Sequence, residues 1–251
     1  HNAVCDVDGD GREEVFAGCL LLSADGEVLW RQDEITRRLL VPNGGHVDSS
    51  TMGFFAGPDA APTLQMASSS AGHLVCNART GEMLAAHPQG HAQSVSAGCV
   101  IPGSSDVHTI SSNRWGNYGV MGIYAPNGER VSRFQPGFVC QNSKPLNWTG
   151  DGLEHLLICD GPGWRGIYDH LGNRLIDLDS LVPYDDPFAQ RYDRVNVSRV
   201  ALRDGDPRDV IILRRGNTIR LIGPADTLDK GSKVFAPERR TNTSWPGWTT
   251  V

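Results

Sequence analysis

The feature that most constrains the fold is a repeat of apolar segments, each introduced by a turn rich in Gly, Asp or Pro. The segments EEVFAG, PTLQMA, DVHTIS, EHLLIC and RDVIIL begin at residues 13, 62, 106, 154 and 208, so they recur at intervals of 44 to 54 residues. A second pair of strand-like segments follows each of them around its own turn, as in LLLSADGEVLW and GIYAPNGERV. One unit is therefore predicted to be a four-stranded antiparallel sheet, and its length is typical of a β-propeller blade.

Five such units predict an all-β chain of about five blades, because no stretch shows sustained helical periodicity. The first unit has no lead-in, and a propeller protects its sheet edges by closing the ring. We therefore expect these blades to belong to a larger ring of seven or eight blades. The alternative is a ring in which five blades close on themselves. Residues 1–235 are assigned to the blades and residues 236–251 to a C-terminal tail outside the repeat.

Composition narrows the possible partners and compartments. The formal net charge is −6 and no Lys/Arg cluster is present, which argues against nucleic acid or a membrane surface as partner. No apolar run approaches the roughly 20 residues that a membrane-spanning helix needs. The six cysteines are scattered through strand-like segments without CxxC spacing. That pattern favours small buried core residues over disulfides or a zinc site.

The first turn, within HNAVCDVDGDGREEV, has the D-x-D-G-D pattern with which a tight loop directs several oxygens at a hard cation. A helical calcium loop needs Glu at its twelfth position, where this chain has Ala17, and the flanking VFAGCLLL favours strands. We predict a Ca²⁺ site between two strands. Its expected ligands are the carboxylates of Asp6, Asp8, Asp10 and Glu14 and the carbonyl of Arg12. The alternative is a solvated turn whose Asp and Gly residues merely suit turn geometry.

Three histidines follow the repeat: His1, His46 and His91 are each 45 residues apart and each precedes the first strand of a blade. Equivalent positions of propeller blades open onto one face, so these imidazoles are predicted to converge on a shared pocket. The next two blades add polar residues at the corresponding positions, namely Asn142, Lys144, Arg194 and Asn196. The alternative is that the periodic histidines descend from repeat duplication and only cap strands.

A second cluster lies in SNRWGNYGVMG, residues 112–122. An aromatic face, a guanidinium for a carboxylate and amides for hydroxyl groups suit a sugar ligand. The predicted contact residues here are Asn113, Arg114, Trp115, Asn117 and Tyr118. GPGWRGIY, residues 161–168, repeats the pattern in the following blade with Trp164 and Arg165. The alternative is a tight hairpin with one packed Trp.

These residue types suit β-elimination from a uronic acid. His46 and His91 are the predicted base and acid, Arg114 or Lys144 would neutralise the carboxylate, and Tyr118 is a further candidate acid. Hydrolysis would need two facing carboxylates, and these positions offer little beyond Asp48. The sequence contains no GxSxG, Walker or dinucleotide-binding motif.

DVDGDGREEV, GGHVDS, GHAQS, NRWGNYGVMGIYAPNGERV and KPLNWTGDGLEHLL together resemble the bacterial rhamnogalacturonan-lyase-like propellers. The resemblance covers nearly the whole chain. It implies the C-terminal part of an eight-bladed ring and a calcium-binding polysaccharide lyase that cleaves the rhamnose–galacturonate backbone of pectin. It also implies an acidic plant or algal polysaccharide as partner, a monomer, and a secreted or periplasmic location.

The chain departs from the family at its later acidic turns. NWTGDGLEH has His155 where the first turn has Glu14, and RDGDPRDV keeps only three aspartates, so calcium is not expected there. Related ulvan and rhamnose–glucuronate lyases use propeller-face histidines as base and acid, which leaves the uronate open. Two other functions also remain open. One is a non-catalytic propeller that binds glycan or protein through the same face, and the other is a transition-metal site formed by the three histidines.

Overall fold

The computed structural model describes residues 2–39, 45–116, 118–137, 143–159, 163–181, 194–198, 206, 208–215, 218–225 and 242–243. The strands of the first two sheets are β1 (Asn2–Cys5), β2 (Glu14–Ala17), β3 (Leu20–Leu22), β4 (Val28–Arg31), β5 (Ser49–Gly53), β6 (Thr63–Ala67), β7 (His73–Asn77) and β8 (Met83–His87). Those of the next two are β9 (His91–Gly98), β10 (His108–Trp115), β11 (Met121–Tyr124), β12 (Arg130–Phe134), β13 (Ser143–Leu146), β14 (His155–Ile158), β15 (Gly166–Tyr168) and β16 (Arg174–Asp177). The remaining elements are β17 (Arg194–Ser198), β18 (Val210–Arg215), β19 (Thr218–Ile222), β20 (Asn242–Thr243), and the short helices α1 (Asp33–Leu39) and α2 (Leu178–Leu181).

These strands form five antiparallel sheets in chain order, which confirms the predicted all-β fold of four-stranded units. Strands β1–β4, β9–β12 and β13–β16 each make a four-stranded sheet, and among the described residues β17–β19 make a three-stranded sheet. In the second sheet, β20 pairs with β5 beside β6, β7 and β8, so two residues of the predicted tail join a blade. The first strands lie side by side, β1 against β5, β5 against β9 and β9 against β13, as in a propeller.

In the four units where the structure describes it, the turn between the third and fourth strands is a tight hairpin, as its sequence predicts. In the first sheet, the Gly26 N–H donates to the Ser23 carbonyl (2.9 Å) and the Ser23 N–H donates to the Glu27 carbonyl (2.8 Å). Gly26 has φ of 84°, in the left-handed region that glycine enters without steric cost. This turn therefore sets the register between β3 and β4.

The core consists of apolar layers between neighbouring sheets. In β14, Leu156 and Ile158 pack toward the third sheet while Leu157 packs toward Ile211 of the fifth, so alternate residues bury both faces of the strand. The first sheet buries one such face, which includes Phe16, against the second sheet. The opposite face of the first sheet carries partly exposed residues at positions 4, 15, 17, 20 and 22.

A repeated backbone contact joins neighbouring sheets. The Glu154 N–H donates to the Cys99 carbonyl, and the Cys99 N–H donates to Glu154 Oε2, both at 2.8 Å. Asp209 makes the same two bonds with Asn147, at 2.8 and 2.7 Å. Glu13 occupies the equivalent position, one residue before the last pair of the β1–β2 ladder, but it is exposed. We call the Glu154 and Asp209 contacts the intersheet clasps.

The cysteines and the membrane prediction can be followed in the described part of the chain. Among the five cysteines there, no disulfide is present, and Cys76 is fully buried while the others are partly buried. Cys140 lies outside the described residues. No described helix is long and apolar enough to cross a membrane.

Candidate active site

The candidate site lies at the edge of the sheets where the first strands begin. Because neighbouring strands run in opposite directions, the starts of β5 and β9 share a face with the ends of β6 and β10. His46 and Asp48 precede β5, His91 begins β9, and Trp115 ends β10. His91 and Trp115 are direct partners in the β9–β10 ladder. The two sequence clusters predicted separately therefore meet at one place.

A close contact between Gly90 and Gly116 holds the start of β9 against the end of β10. Gly90 has φ of 98°, and a Cβ atom there would lie 2.1 Å from the carbonyl oxygen of Gly116. Only a residue without a side chain allows the two segments to approach this closely. Gly90 therefore allows the start of β9 to lie directly against the end of β10, next to His91.

Asp48 is the centre of the site, and only 7% of its side chain is exposed. Its Oδ1 atom lies 3.1 Å from His46 Nε2 and accepts a hydrogen bond from Gln93 Nε2 at 2.9 Å. Its Oδ2 atom accepts the Ser69 hydroxyl at 2.5 Å and lies 3.4 Å from His91 Nε2. Each carboxylate oxygen therefore faces one imidazole and one further donor, which satisfies a buried charge.

The two imidazoles differ in their surroundings although their ring centroids are 6.2 Å apart. The His46 side chain is 63% exposed, whereas the His91 side chain is 16% exposed. Burial lowers the pKa of His91; Asp48 opposes this effect, and the neighbouring His46 and Arg114 reinforce it. A neutral imidazole in this position can accept a proton at neutral pH.

An exposed aromatic surface adjoins His91. The Trp115 ring makes an edge contact with the His91 ring (centroids 6.1 Å apart) and another with Tyr118 (6.3 Å). Both aromatic residues remain solvent-accessible, Trp115 at 46% and Tyr118 at 43%. The Arg114 guanidinium stacks over the Trp115 ring at 4.3 Å, which leaves its N–H edges available for an anion. We call Arg114, Trp115 and Tyr118 the aromatic platform.

Two predicted sugar-binding residues are buried instead. Asn113 is fully buried, and its amide donates to the Gln89 carbonyl, so it holds the loop and does not present a group to solvent. Arg165 is 4% exposed, and its Nε donates to Asp179 at 2.7 Å. Because the charge of Arg165 is already balanced by a carboxylate, this prediction is corrected to a structural role.

Trp164 and Lys144 have other neighbours than the imidazole pair. Trp164 is partly buried and packs closely over Gly137. On β13, the Ser143 hydroxyl lies 3.5 Å from that of Ser96 in the preceding sheet, and the alternation along a strand turns Lys144 to the other face. There, burial lowers the pKa of Lys144 near Cys159. Arg114 is thus the predicted cation that lies beside His91.

Several predicted residues cannot be placed. His1, Asn117 and Asn142 lie outside the described residues, and of Arg194 and Asn196 the structure describes only their strand, β17. The structure therefore brings together two of the three histidines in register.

The sequence prediction did not assign a role to three polar residues of the site. Asp48 faces both histidines, and Ser69 and Gln93 donate hydrogen bonds to Asp48. A signal for two of them exists, because His46-Val47-Asp48 and His91-Ala92-Gln93 have the same spacing in neighbouring repeats. Residues two apart share one face of a strand. Ser69 lies in the β6–β7 turn and has no such signal.

The predicted calcium loop lies at the opposite edge of the sheets, between β1 and β2. Asp6, Asp8 and Glu14 each offer a carboxylate oxygen, and these oxygens lie within 4.8 Å of one another. The loop also supports them, since both Asp6 oxygens accept backbone N–H groups, from Gly9 at 2.7 Å and Gly11 at 2.9 Å. Three hard oxygen donors in one tight loop fit Ca²⁺.

The other two predicted ligands have different surroundings. Asp10 Oδ1 accepts the Arg12 N–H at 2.8 Å, and Asp10 is not part of the three-carboxylate group. The Arg12 guanidinium pairs with Asp25 at 2.6 and 2.9 Å. Within the described residues, the groups close enough to hold a metal do not include His46 or His91, whose Nε2 atoms instead face the Asp48 carboxylate.

Comparisons with solved structures confirm the resemblance at the level of the fold. The exotype rhamnogalacturonan lyase YesX matches with a TM-score of 0.55 and 18% identity, over 88% of this chain and 36% of that chain. Bacillus licheniformis rhamnogalacturonan lyase PL11 matches with a TM-score of 0.54 and 17% identity, over 90% of this chain and 35% of that chain. The chain thus spans about a third of the length of these lyases.

The fold is not restricted to lyases. BBS1N, solved in complex with ARL6DN, matches with a TM-score of 0.50 and 9% identity, over 88% of this chain and 63% of that chain. Neither protein-family models nor curated protein sequences give a match. Function must therefore be argued from the site.

Proposed function

We propose that this chain carries the catalytic face of a polysaccharide lyase that cleaves a rhamnose-linked uronic acid polymer, such as rhamnogalacturonan, by β-elimination. One observation carries the proposal: two imidazoles 6.2 Å apart flank a buried carboxylate, beside an exposed Trp with a guanidinium stacked on it. This arrangement offers a base, an acid, a cation and a surface for a sugar ring. The fold shared with two rhamnogalacturonan lyases supports the same function.

Each step of the elimination has a candidate residue. His91, whose pKa burial lowers, takes the proton from the carbon beside the carboxylate, so in this proposal it has the role of base that the sequence assigned to His46. Arg114 stabilises the negative charge that develops on that carboxylate. His46, whose Nε2 lies 3.1 Å from the Asp48 carboxylate, donates a proton to the leaving glycosidic oxygen. Tyr118, at the edge of the platform, is the alternative acid.

We further propose that Asp6, Asp8 and Glu14 hold a structural Ca²⁺. Support comes from their mutual distances and from the donor chemistry, which is all carboxylate oxygen. When bound, the ion would supply charge compensation to the β1–β2 loop. Because this loop lies at the edge opposite the histidines, the proposed role of the ion is stability.

The proposed secreted or periplasmic location and the acidic plant or algal polysaccharide as partner rest on the resemblance to lyases.

The direct test is the ultraviolet absorbance of unsaturated uronate ends when the 251-residue chain meets rhamnogalacturonan, ulvan and gum arabic. The proposal predicts a rise on one of these polymers, which His46→Ala and His91→Ala abolish. His170→Ala is the matched control, because His170 lies in the β15–β16 turn at the opposite edge. No rise with any polymer, from chain shown to be folded, would refute a lyase activity of this chain.

A second candidate, a non-catalytic glycan-binding propeller, is favoured by the exposure of the platform, since Trp115 and Tyr118 present nearly half of their surface to solvent. Titration calorimetry with oligosaccharides of the same polymers separates the two functions. Binding that Trp115→Ala weakens, without any unsaturated product, would establish the second.

A further inference from the structure

One carboxylate orients both histidines through the same ring atom. Asp48 Oδ1 faces His46 Nε2 at 3.1 Å, and Asp48 Oδ2 faces His91 Nε2 at 3.4 Å. An ionised carboxylate only accepts hydrogen bonds, so each neutral imidazole that faces it must carry its proton on Nε2. The lone pair of each neutral ring is then on Nδ1, the atom not directed at Asp48.

The carboxylate is itself fixed from two sides. Gln93 Nε2 donates to Oδ1 at 2.9 Å and the Ser69 hydroxyl donates to Oδ2 at 2.5 Å. Both residues are buried. With these bonds made, the Asp48 side chain cannot rotate without breaking contacts to three neighbouring segments, so the two imidazoles are held relative to one another.

The backbone at Ser69 supports a functional role for this arrangement. Ser69 has φ of 47°, and among the described residues it alone combines a side chain with a positive φ. Its backbone also bridges to the next sheet, with the Ala92 N–H donating to the Ser69 carbonyl at 2.9 Å. A strained conformation of this kind persists where surrounding contacts over-determine it, and such residues cluster at functional sites.

We propose that Asp48 is a positioning residue that fixes His46 and His91 as Nε2–H tautomers, which makes Nδ1 the proton-transferring atom of both. This inference rests on the proposed function for its consequence in the reaction. There, His91 Nδ1 takes the proton beside the substrate carboxylate, and the C–H electron pair forms the new C=C bond. The C–O bond breaks with its electron pair going to the glycosidic oxygen. His46 enters this step as the imidazolium with protons on both nitrogens, gives its Nδ1 proton to that oxygen, and becomes the neutral Nε2–H tautomer. Solvent then returns the proton from His91 to His46.

Nitrogen NMR of the imidazoles tests the tautomers without any substrate. In wild-type chain at a pH where the rings are neutral, both His46 and His91 are expected to show protonated Nε2 and unprotonated Nδ1. His108 is the internal control, because its Nδ1 lies 3.1 Å from the Asp106 carbonyl, which requires a proton on Nδ1. Nδ1–H at His46 or His91 in the wild-type chain would overturn the proposal, even if no variant folds.

Two variants sharpen the test. In Asp48→Asn, the side-chain amide both donates and accepts, so at least one of the two imidazoles is expected to change tautomer while His108 does not. Ser69→Ala removes a donor to Asp48 but no partner of either imidazole, so both tautomers should persist. Unchanged tautomers in folded Asp48→Asn would contradict the proposal.

Measurements of polymer cleavage separate this proposal from the lyase proposal. Where a polymer is cleaved, Asp48→Asn should lower kcat by about 10³-fold or more with little change in KM, by analogy with the loss of an orienting carboxylate beside a catalytic histidine. Activity close to wild type in Asp48→Asn would overturn the positioning role. Absence of cleavage by the wild-type chain would remove the lyase function, while the NMR result would still decide the role of Asp48 in the tautomers.

Discussion

The intersheet clasps predict that two glutamates at equivalent positions differ strongly in their contribution to stability. Glu154 is 2% exposed, and its carboxylate accepts the Cys99 N–H at 2.8 Å. Glu154→Ala would leave the partly buried Cys99 N–H without its charged acceptor, which costs about 2–3 kcal/mol. Glu13 is exposed at the same ladder position of the first sheet, so Glu13→Ala should change the free energy of unfolding by about 0.5 kcal/mol or less.

Chemical denaturation of both variants beside wild type measures this difference. Glu154→Gln is the conservative comparison, because its amide oxygen can still accept the N–H and only the charge is lost; its cost should lie between those of the two alanine variants. Equal decreases in the free energy of unfolding for Glu154→Ala and Glu13→Ala would refute this explanation. That result would mean that neither the position in the repeat nor the burial of the carboxylate determines the contribution of these residues.

Three further predictions follow from the fold and the site. Burial lowers the pKa of His73 from 6.5 to about 3, so the unfolded chain binds a proton that the native chain does not, and stability should fall by about 2 kcal/mol between about pH 7 and pH 5. His73→Gln should flatten that pH dependence in urea titrations. Ca²⁺ at about 100 times its Kd should stabilise the chain by about 2.7 kcal/mol, and thermal unfolding of Asp8→Asn should show little of this gain. Trp115→Ala should weaken oligosaccharide binding about fivefold in calorimetry, through the loss of about 1 kcal/mol of aromatic contact, and an unchanged Kd would exclude the platform as a sugar surface.

The fold could be predicted from local signals because turns and alternation are encoded locally. The Asp25-Gly26 turn and its counterparts specify hairpins, and alternate apolar residues such as Leu156 and Ile158 specify buried strand faces. The repeat then gives the number of sheets. That β20 joins the second sheet was not predictable, since two residues of strand carry no pattern and their partners lie far away in the chain.

The site could be predicted only in part because its decisive contacts are remote in sequence. Asp48 meets Ser69 across 21 residues and Gln93 across 45. The 45-residue spacing of the repeat identified both histidines as site residues. The contact of Asp48 with both of them exists only because two sheets pack side by side. Arg165 was assigned to sugar binding because its motif suits such a ligand. In the structure its guanidinium donates to Asp179, and no sequence motif indicates that pairing.

The measurement that most directly tests the central claim is mass spectrometry of the ends released from rhamnogalacturonan by wild-type chain and by His91→Ala. The account predicts unsaturated uronate ends, lighter by one water molecule than hydrolysis products, from wild type and none from His91→Ala. Saturated ends, or unsaturated ends in equal amount from the variant, would contradict the assignment of the imidazole pair around Asp48 as the elimination site.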